Sequence, residues 1–319
     1  MNQHRSISKK YFEVEVVKIS REAADVKSIN LKVRRRDEAV ETEPGSHIGI
    51  HLPDIGIRQY SIIGGGGGEY KIAVYREAEG RGGSRYLHES VHVGDILLCE
   101  PPRNTFPLSF DAQSYKLIAG GIGITAILPM ARELWTRGKS FALTYLARDP
   151  DKAAFVDELL QAPFRGSVNI HYSALSGRAD MRSIVGHAFD GSRIYCCGPQ
   201  KLLDAVLRAT EGWPTCAVNF ERFAAPSLDT KGRAFHVRLA SGVEYLVPFD
   251  KTILQVLREN GLEVPSMCER GVCGSCLAPV TEGIPDHKDT TLSPQEKLAN
   301  DVIAICCSRA KSETICLDI

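Results

Sequence analysis

Cysteines 268, 273 and 276 stand at C-x4-C-x2-C spacing in Cys268-Glu269-Arg270-Gly271-Val272-Cys273-Gly274-Ser275-Cys276, and Cys306 follows 30 residues beyond Cys276. Four thiolates at this spacing close around the two irons of a plant-type [2Fe–2S] centre. Soft thiolates suit such a centre. Gly271 and Gly274 let the loop wrap closely and leave N–H groups free to aim at the sulfurs, which tunes the potential. Structural zinc sites usually pair two C-x2-C knuckles, and only one is present. A disulfide pair needs an oxidising compartment that nothing in the sequence marks. The expected iron ligands are therefore Cys268, Cys273, Cys276 and Cys306.

The chain of 319 residues has room for two or three domains. With 43% hydrophobic and 24% charged residues it has ample core material. Formal net charge is +0, so no nucleic-acid partner is implied and any electrostatic docking rests on local patches. The N-terminal segment is polar and lacks a signal-peptide core. No apolar run approaches the roughly 18 residues of a membrane helix, so no membrane association is expected. The ten cysteines are read in a reducing cytoplasm. Four go to the cluster, and Cys99, Cys196, Cys197, Cys216, Cys307 and Cys316 are expected as buried free thiols.

From Tyr11 to about Pro107 the chain reads as short alternating strands, among them 12–19, 29–33, 45–53 and 70–76, with no long helical pattern. This pattern predicts a small antiparallel barrel. Gly64 to Gly68 lie between two strands and open no helix, so they read as a flexible hairpin loop rather than a phosphate loop. Arg58-Gln59-Tyr60-Ser61 follows a turn, and strand alternation puts Arg58 and Tyr60 on one face. A guanidinium and a flat ring there could grip one phosphorylated ligand. Gly80-Arg81-Gly82-Gly83-Ser84-Arg85-Tyr86-Leu87 sets glycines before a short helical stretch, which offers free N–H groups to a phosphate.

Tyr115 to Ile118 form an apolar strand that breaks at Gly120, Gly121 and Gly123. The pattern predicts a helix over 126–137, a strand over 141–146, a helix over 153–161 and a strand over 168–172. This β-α-β-α-β order argues for a parallel sheet with helices on both faces. Glycines after a strand and before a helix let a pyrophosphate approach the backbone. Ile194-Tyr195-Cys196-Cys197-Gly198-Pro199 is a second strand exit, feeding a helix over 201–210, and Cys196 reads as a core thiol. Arg148 and Asp149 follow the second strand, where a dinucleotide ribose would lie, with neither a basic cluster nor a clean acidic partner. Residues 224–233 are polar and aperiodic and read as a linker. Strands over 234–239 and 244–247 follow, then a helix over 253–260 that puts Ile253, Leu254 and Leu257 on one face.

Together, the R-x-Y-S and G-R-G-G-S segments, the G-G-x-G and C-G-P turns and the C-terminal cysteines resemble, in this order, the phthalate dioxygenase reductase and vanillate demethylase reductase family. The resemblance covers nearly the whole chain. It implies an FMN-binding antiparallel β-barrel over 1–109, an α/β parallel-sheet NAD-binding domain over 110–223 and a linker over 224–232. An α+β plant-type ferredoxin domain of β-grasp type then fills 233–319. Arg58, Gln59, Tyr60, Ser61, Ala73, Tyr75, Gly82, Gly83 and Ser84 would contact FMN. Tyr75 departs from the family, whose members often carry lysine there, so one basic contact near the flavin is missing.

By the same resemblance NADH is the expected donor, held by Gly120, Gly121, Gly123, Arg148, Gly198 and Pro199. Cys197 would lie beside the nicotinamide ring and Thr125 at the flavin junction, although a helix cap also explains a threonine there. Phe223 would lie near the flavin and Glu221 near hydride transfer; a core Phe220 with a solvated Glu221 is the plainer alternative. Aligning Ala304 to Ala310 on the family's C-V-S-R-A makes Cys306 the ligand and Cys307 a stand-in for an apolar residue. His287, in a segment like the family's G-x-x-D-H-[RK]-D, is not assigned as a ligand because four cysteines fill the coordination.

The implied activity is that of an NADH-dependent reductase, monomeric and cytoplasmic, which passes electrons through FMN to [2Fe–2S] and on to a Rieske-type aromatic oxygenase. Two other readings stay open: a stand-alone reductase of small acceptors, and a cluster-based redox sensor.

Overall fold

The computed structural model describes residues 11–80, 82–186, 190–214, 217–221, 233–262, 264–266, 271, 274, 276–289 and 291–319. The chain divides into two compact units, Met1–Phe223 and Ala224–Ile319. The linker expected over 224–232 lies outside the described residues.

In the first unit, β1 (Phe12–Ala23), β2 (Val26–Val33), β3 (Ser46–Leu52), β4 (Gly56–Gly66), β5 (Glu69–Tyr75) and β6 (Ile96–Asn104) close an antiparallel barrel in the order β1-β2-β5-β4-β3-β6. Alternation fills it: Val14, Val16, Ile29, Leu31, Ile48, Ile50, Leu52 and Ile72 point inward and are fully buried. Each such side chain contributes roughly 1.5–3 kcal/mol. One expectation needs correction. The glycine run is not all loop, because β4 extends through Gly66 and only the turn beyond it, with Gly67 and Gly68 at positive φ, reverses the chain. The helix α1 (Gly83–Glu89) sits between β5 and β6.

A five-stranded parallel sheet follows, built from β7 (Ser114–Gly120), β8 (Ser140–Ala147), β9 (Val168–Tyr172), β10 (Arg193–Cys197) and β11 (Val218–Glu221), in the order β11-β10-β7-β8-β9. Its connections carry α2 (Ile124–Thr136), α3 (Val156–Gln161), α4 (Ser173–Ser176), α5 (Met181–Val185) and α6 (Gln200–Ala209). The helix expected over 153–161 is shorter, since Phe155 adopts φ 63 and ends any continuation toward the N-terminus. The short α4 and α5 carry too little periodicity to be foreseen. Because β8 and β9 lie on one side of β7, and β10 and β11 on the other, the strand order reverses between β7 and β10. Ligands of open parallel sheets bind at such a switch point. Barrel and sheet share one apolar core: Val26, Ile63 and Ala73 pack with Ile127, Met130, Ala131 and Tyr145.

In the second unit, β12 (Phe235–Leu239), β13 (Glu244–Val247), β14 (Leu277–Glu282), β16 (Val302–Ala304) and β18 (Thr314–Leu317) form a mixed sheet in the order β13-β12-β18-β14-β16, beside a small β15 (Pro285–Asp286) and β17 (Arg309–Ala310) pair. The helix α7 (Ile253–Glu259) buries Ile253, Leu254, Val256 and Leu257 behind a Thr252–Gln255 capping box. Such a cap typically contributes ~1 kcal/mol. A second capping box, Ser293–Glu296, opens α8 (Pro294–Ala299). Among the described residues no helix is long and apolar enough to cross a membrane. Cys99, Cys196, Cys197 and Cys307 are buried free thiols as expected, whereas Cys316 is only half-buried and Cys216 lies outside the described residues.

Candidate functional site

Arg58 and Tyr60 share one face of β4. The Arg58 stem lies along the first turn of α1, where a Cβ on Gly83 would stand 2.7 Å from Arg58 Cγ and 3.1 Å from its Nε. Gly82 precedes that turn at φ 84, a conformation glycine adopts without strain. Arg58 Nη1 donates to the Ile57 carbonyl at 2.9 Å, and Ser84 Oγ accepts from the Glu77 N–H at 3.0 Å. Guanidinium and helix end thus converge, as a phosphate requires. On the other face, Gln59 donates to Glu100 Oε2 at 3.4 Å, and Ser61 is 6% exposed. The Ser61 hydroxyl is buried and has no hydrogen-bond partner among the described residues. An orphaned hydroxyl costs about 1–3 kcal/mol, which a ring nitrogen or oxygen would recover. The barrel therefore fits a phosphorylated flat cofactor. Ala73 is buried on the side facing the parallel sheet, while Tyr75, at the strand end, is half-exposed. Arg81 lies outside the described residues.

At the switch point the ends of β7 and β10 press together. A Cβ on Gly123 would fall on the Cys197 carbonyl, and one on Gly120 would stand 2.6 Å from Leu202 Cδ2 and 2.9 Å from Pro199 Cδ. Gly198 packs on Gly120 in the same way, and only Gly121, at φ 53, faces open space. Gly120, Gly123 and Gly198 let the two strand exits pack together, and the open side of Gly121 leaves backbone that a pyrophosphate can approach. Cys197 is fully buried, and its thiol donates to Glu221 Oε2 at 3.7 Å from the neighbouring strand, where the two residues are register partners. Burial, then the Glu221 charge, hold this thiol well above the usual cysteine range, so it stays neutral. Glu221 is thus not simply solvated.

Thr125 is no cap. It lies inside α2, and its hydroxyl donates to the Ile122 carbonyl at 2.9 Å. Arg148 sits just past β8, largely exposed, 3.6 Å from Asp149. Phe223 lies outside the described residues.

In the second unit, Cys276 and Cys306 are 3% and 2% exposed. The Gly271 N–H donates to Cys306 Sγ at 3.3 Å. The neighbouring Cys276 and Cys307 sulfurs push the Cys306 thiol up. Crowded sulfurs resist ionising together unless a cation sits among them, so this donor set fits a metal centre. Gly271 and Gly274 adopt φ 69 and 71, as the wrapping loop requires. Cys268 and Cys273 lie outside the described residues. The His287 ring sets Nδ1 3.5 Å from Asp289 Oδ1.

Asp289 closes the segment that resembles the family's G-x-x-D-H-[RK]-D, whereas two further residues, Glu100 and Arg132, escaped the sequence reading. Asp289 packs under Gly271 and accepts from the Leu292 N–H at 2.9 Å. Glu100 and Arg132 approach β4 from other elements. Neither Glu100 nor Arg132 carries a local signal, because their partners Gln59 and Ile63 stand 41 and 69 residues away.

The family described as the 2Fe-2S iron-sulfur cluster binding domain matches residues 238–311, a span containing all four expected ligands. The reductase subunit of phthalate 4,5-dioxygenase from Pseudomonas putida is 40% identical over 86% of this chain and 86% of its own length. Tetrachlorobenzoquinone reductase from Sphingobium chlorophenolicum is 39% identical over 96% and 98%. A solved structure of phthalate dioxygenase reductase, described as modular for electron transfer from pyridine nucleotides to [2Fe-2S], is 37% identical over 97% of this chain and 98% of that one, with a TM-score of 0.76.

The chain belongs to the phthalate dioxygenase reductase family. As a member it is an electron-transferring oxidoreductase with a C-terminal [2Fe–2S] domain, of the kind that serves oxygenase systems. The family's barrel, parallel sheet and ferredoxin-type sheet are the three sheets described above.

Proposed function

We propose that this chain takes a hydride from NADH and delivers single electrons to a Rieske-type aromatic oxygenase, acting as a cytoplasmic monomer. The observation that carries the reading is that β4, the strand bearing the Arg58–α1 cradle, shares one core through Ile63 with Ala119, Ile124 and Cys197 at the glycine-lined switch point of the parallel sheet. When bound, FMN supplies the conversion of a two-electron donor into one-electron steps toward the iron–sulfur centre.

Each residue then has a defined task. Arg58, Gly82, Gly83 and Ser84 hold the FMN phosphate through guanidinium, N–H groups and hydroxyl. Tyr60 packs along the ring, and the Ser61 hydroxyl completes its hydrogen bonding there. Gly120, Gly121, Gly123, Gly198 and Pro199 admit the NADH pyrophosphate, and Arg148 borders its ribose. Cys197, kept neutral by burial and by Glu221, lines the nicotinamide side, with Thr125 at the junction and Phe223 shielding it. Cys268, Cys273, Cys276 and Cys306 bind the irons. No side chain needs to act as a covalent catalyst; orientation and water exclusion supply the rate.

The test is an anaerobic NADH titration of the purified protein, followed by absorbance and EPR, with the extracted flavin identified by chromatography. Uptake of about three electrons per chain, FMN in the extract and a rhombic [2Fe–2S] signal are expected. Flavin reduction without a cluster signal would reduce the protein to a plain flavin reductase.

The quinone reductase relative favours a second reading, direct reduction of a small quinone. Turnover with quinones that a co-expressed oxygenase does not accelerate would select it.

A further inference from the structure

Thr125 and Arg132 stand seven residues apart on α2, two turns along the same face. That face begins at the glycine turn of the parallel sheet and ends against the barrel. There, Arg132 Nη1 donates to the Ile63 carbonyl at 2.6 Å, and Nη2 pairs with Glu158 on α3. Ile63 lies two residues beyond Ser61 on the strand that carries Arg58 and Tyr60. The β4–β5 register slips between Ile62 and Gly64, so Ile63 is the extra residue of a β-bulge and stands outside the strand pairing. A buried carbonyl released in this way needs a donor. Gly64 keeps the approach open, since a Cβ there would stand 3.3 Å from Arg132 Nη1.

The same junction carries further ties. The Ala24 N–H donates to the Asp151 carbonyl at 2.8 Å, and Lys71 lies 3.3 Å from Glu22 and 4.9 Å above the Phe155 ring. These bind the barrel to the loop before α3. Ile63 also packs against Ile127, Met130 and Ala131 of α2, and among the described residues the Arg132 side chain adds a hydrogen bond from that helix to the proposed flavin strand. Arg132 and Glu158 are both 37% exposed, so their attraction adds little stability by itself. What the planar fork of arginine contributes is geometry, because it holds two partners at fixed angles and a lysine cannot.

We propose that Arg132 is a positioning residue for hydride transfer, setting the separation of flavin and nicotinamide through its joint hold on the Ile63 carbonyl and Glu158. The inference rests on the flavin–nicotinamide reading above. A misplacement of about 1 Å between reacting groups can lower a rate on the order of 100-fold.

The test uses the full chain as Arg132→Met, Arg132→Lys and Glu158→Gln. Flavin content, melting temperature, NADH affinity, the limiting rate of anaerobic flavin reduction and the long-wavelength absorbance of the reduced flavin–NAD+ complex are measured. For Arg132→Met, flavin content and NADH affinity should stay near wild type. Its limiting rate should fall roughly 10- to 100-fold and the long-wavelength band should weaken. Arg132→Lys should recover part of both. A lowered melting temperature with wild-type rate and band would make Arg132 a structural staple and overturn the proposal. If Arg132→Met does not fold, Glu158→Gln decides: a slower limiting rate at unchanged melting temperature supports it, and an unchanged rate overturns it. Wild-type protein that lacks FMN or is not reduced by NADH would instead sink the underlying reading, independently of any variant.

Discussion

The Gly271 N–H donates to Cys306 Sγ at 3.3 Å, while the side-chain position of the same glycine is closed off by the Cys307 sulfur. Two adjacent thiols thus meet one residue in different ways. Among the described residues, only Cys306 of the two receives a backbone hydrogen bond of the kind that stabilises a ligating thiolate. Cys306→Ser should therefore lose the [2Fe–2S] absorbance and EPR signal while keeping NADH-dependent flavin reduction. Cys307→Ala should retain the cluster. Reversed phenotypes in those two spectra would move the ligand by one residue.

Gly271→Ala should also impair cluster loading. The added carbon meets Cys307 Sγ and stands 3.0 Å from Asp289 Cα, and φ 69 is unfavourable for alanine. Iron and sulfide analysis is expected to show substoichiometric cluster in a protein with normal flavin content. Full loading would contradict the packing.

Arg58→Ala removes the charged half of the proposed phosphate cradle. A charge-assisted hydrogen bond contributes about 1.5–3 kcal/mol, so the FMN dissociation constant should rise roughly 10- to 100-fold. Fluorescence titration of the apoprotein measures it. Wild-type retention would remove Arg58 from the site.

Because burial and Glu221 keep the Cys197 thiol well above the usual cysteine range, its protonation does not change near neutrality. The rate of flavin reduction should be flat from about pH 7 to 9, with no inflection from this group. An inflection in that window that disappears in Cys197→Ala would show a titrating thiol.

His88 on α1 sets Nε2 2.8 Å from the Val74 carbonyl, and burial lowers its affinity for a proton, with Lys27 and Arg76 adding to the effect. With the folded value below the unfolded ~6.5, the unfolded chain binds the proton more readily. The contribution to stability is complete above about pH 6.5 and is lost as pH falls toward the folded value. Wild type should lose more melting temperature than His88→Gln between about pH 7.5 and 5.5. Equal losses would assign the pH dependence elsewhere.

Local chemistry was readable wherever a residue type must sit at a fixed spacing. The cysteine ladder, the glycine turns after β7 and β10 and the alternation that fills the barrel depend on neighbours a few residues away. Reading failed where a long-range contact overrode local pattern. The helix expected over 153–161 is cut short at Phe155, whose left-handed backbone is held by a ring buried in the shared core beneath Lys71. Thr125 looks like a cap by sequence, but packing places it inside α2.

The sequence alone therefore determined which cofactors the chain is built to hold and in what order along it, since thiolates, glycines and a guanidinium are dictated by the ligand's own chemistry. Only the tertiary structure decided how those sites meet. The Cys197–Glu221 contact follows from strand order in the sheet, and the Arg132–Ile63 bond from a one-residue bulge in the barrel. Such contacts join residues 24 and 69 positions apart, beyond the reach of any local periodicity, and exist only once the elements between them have packed.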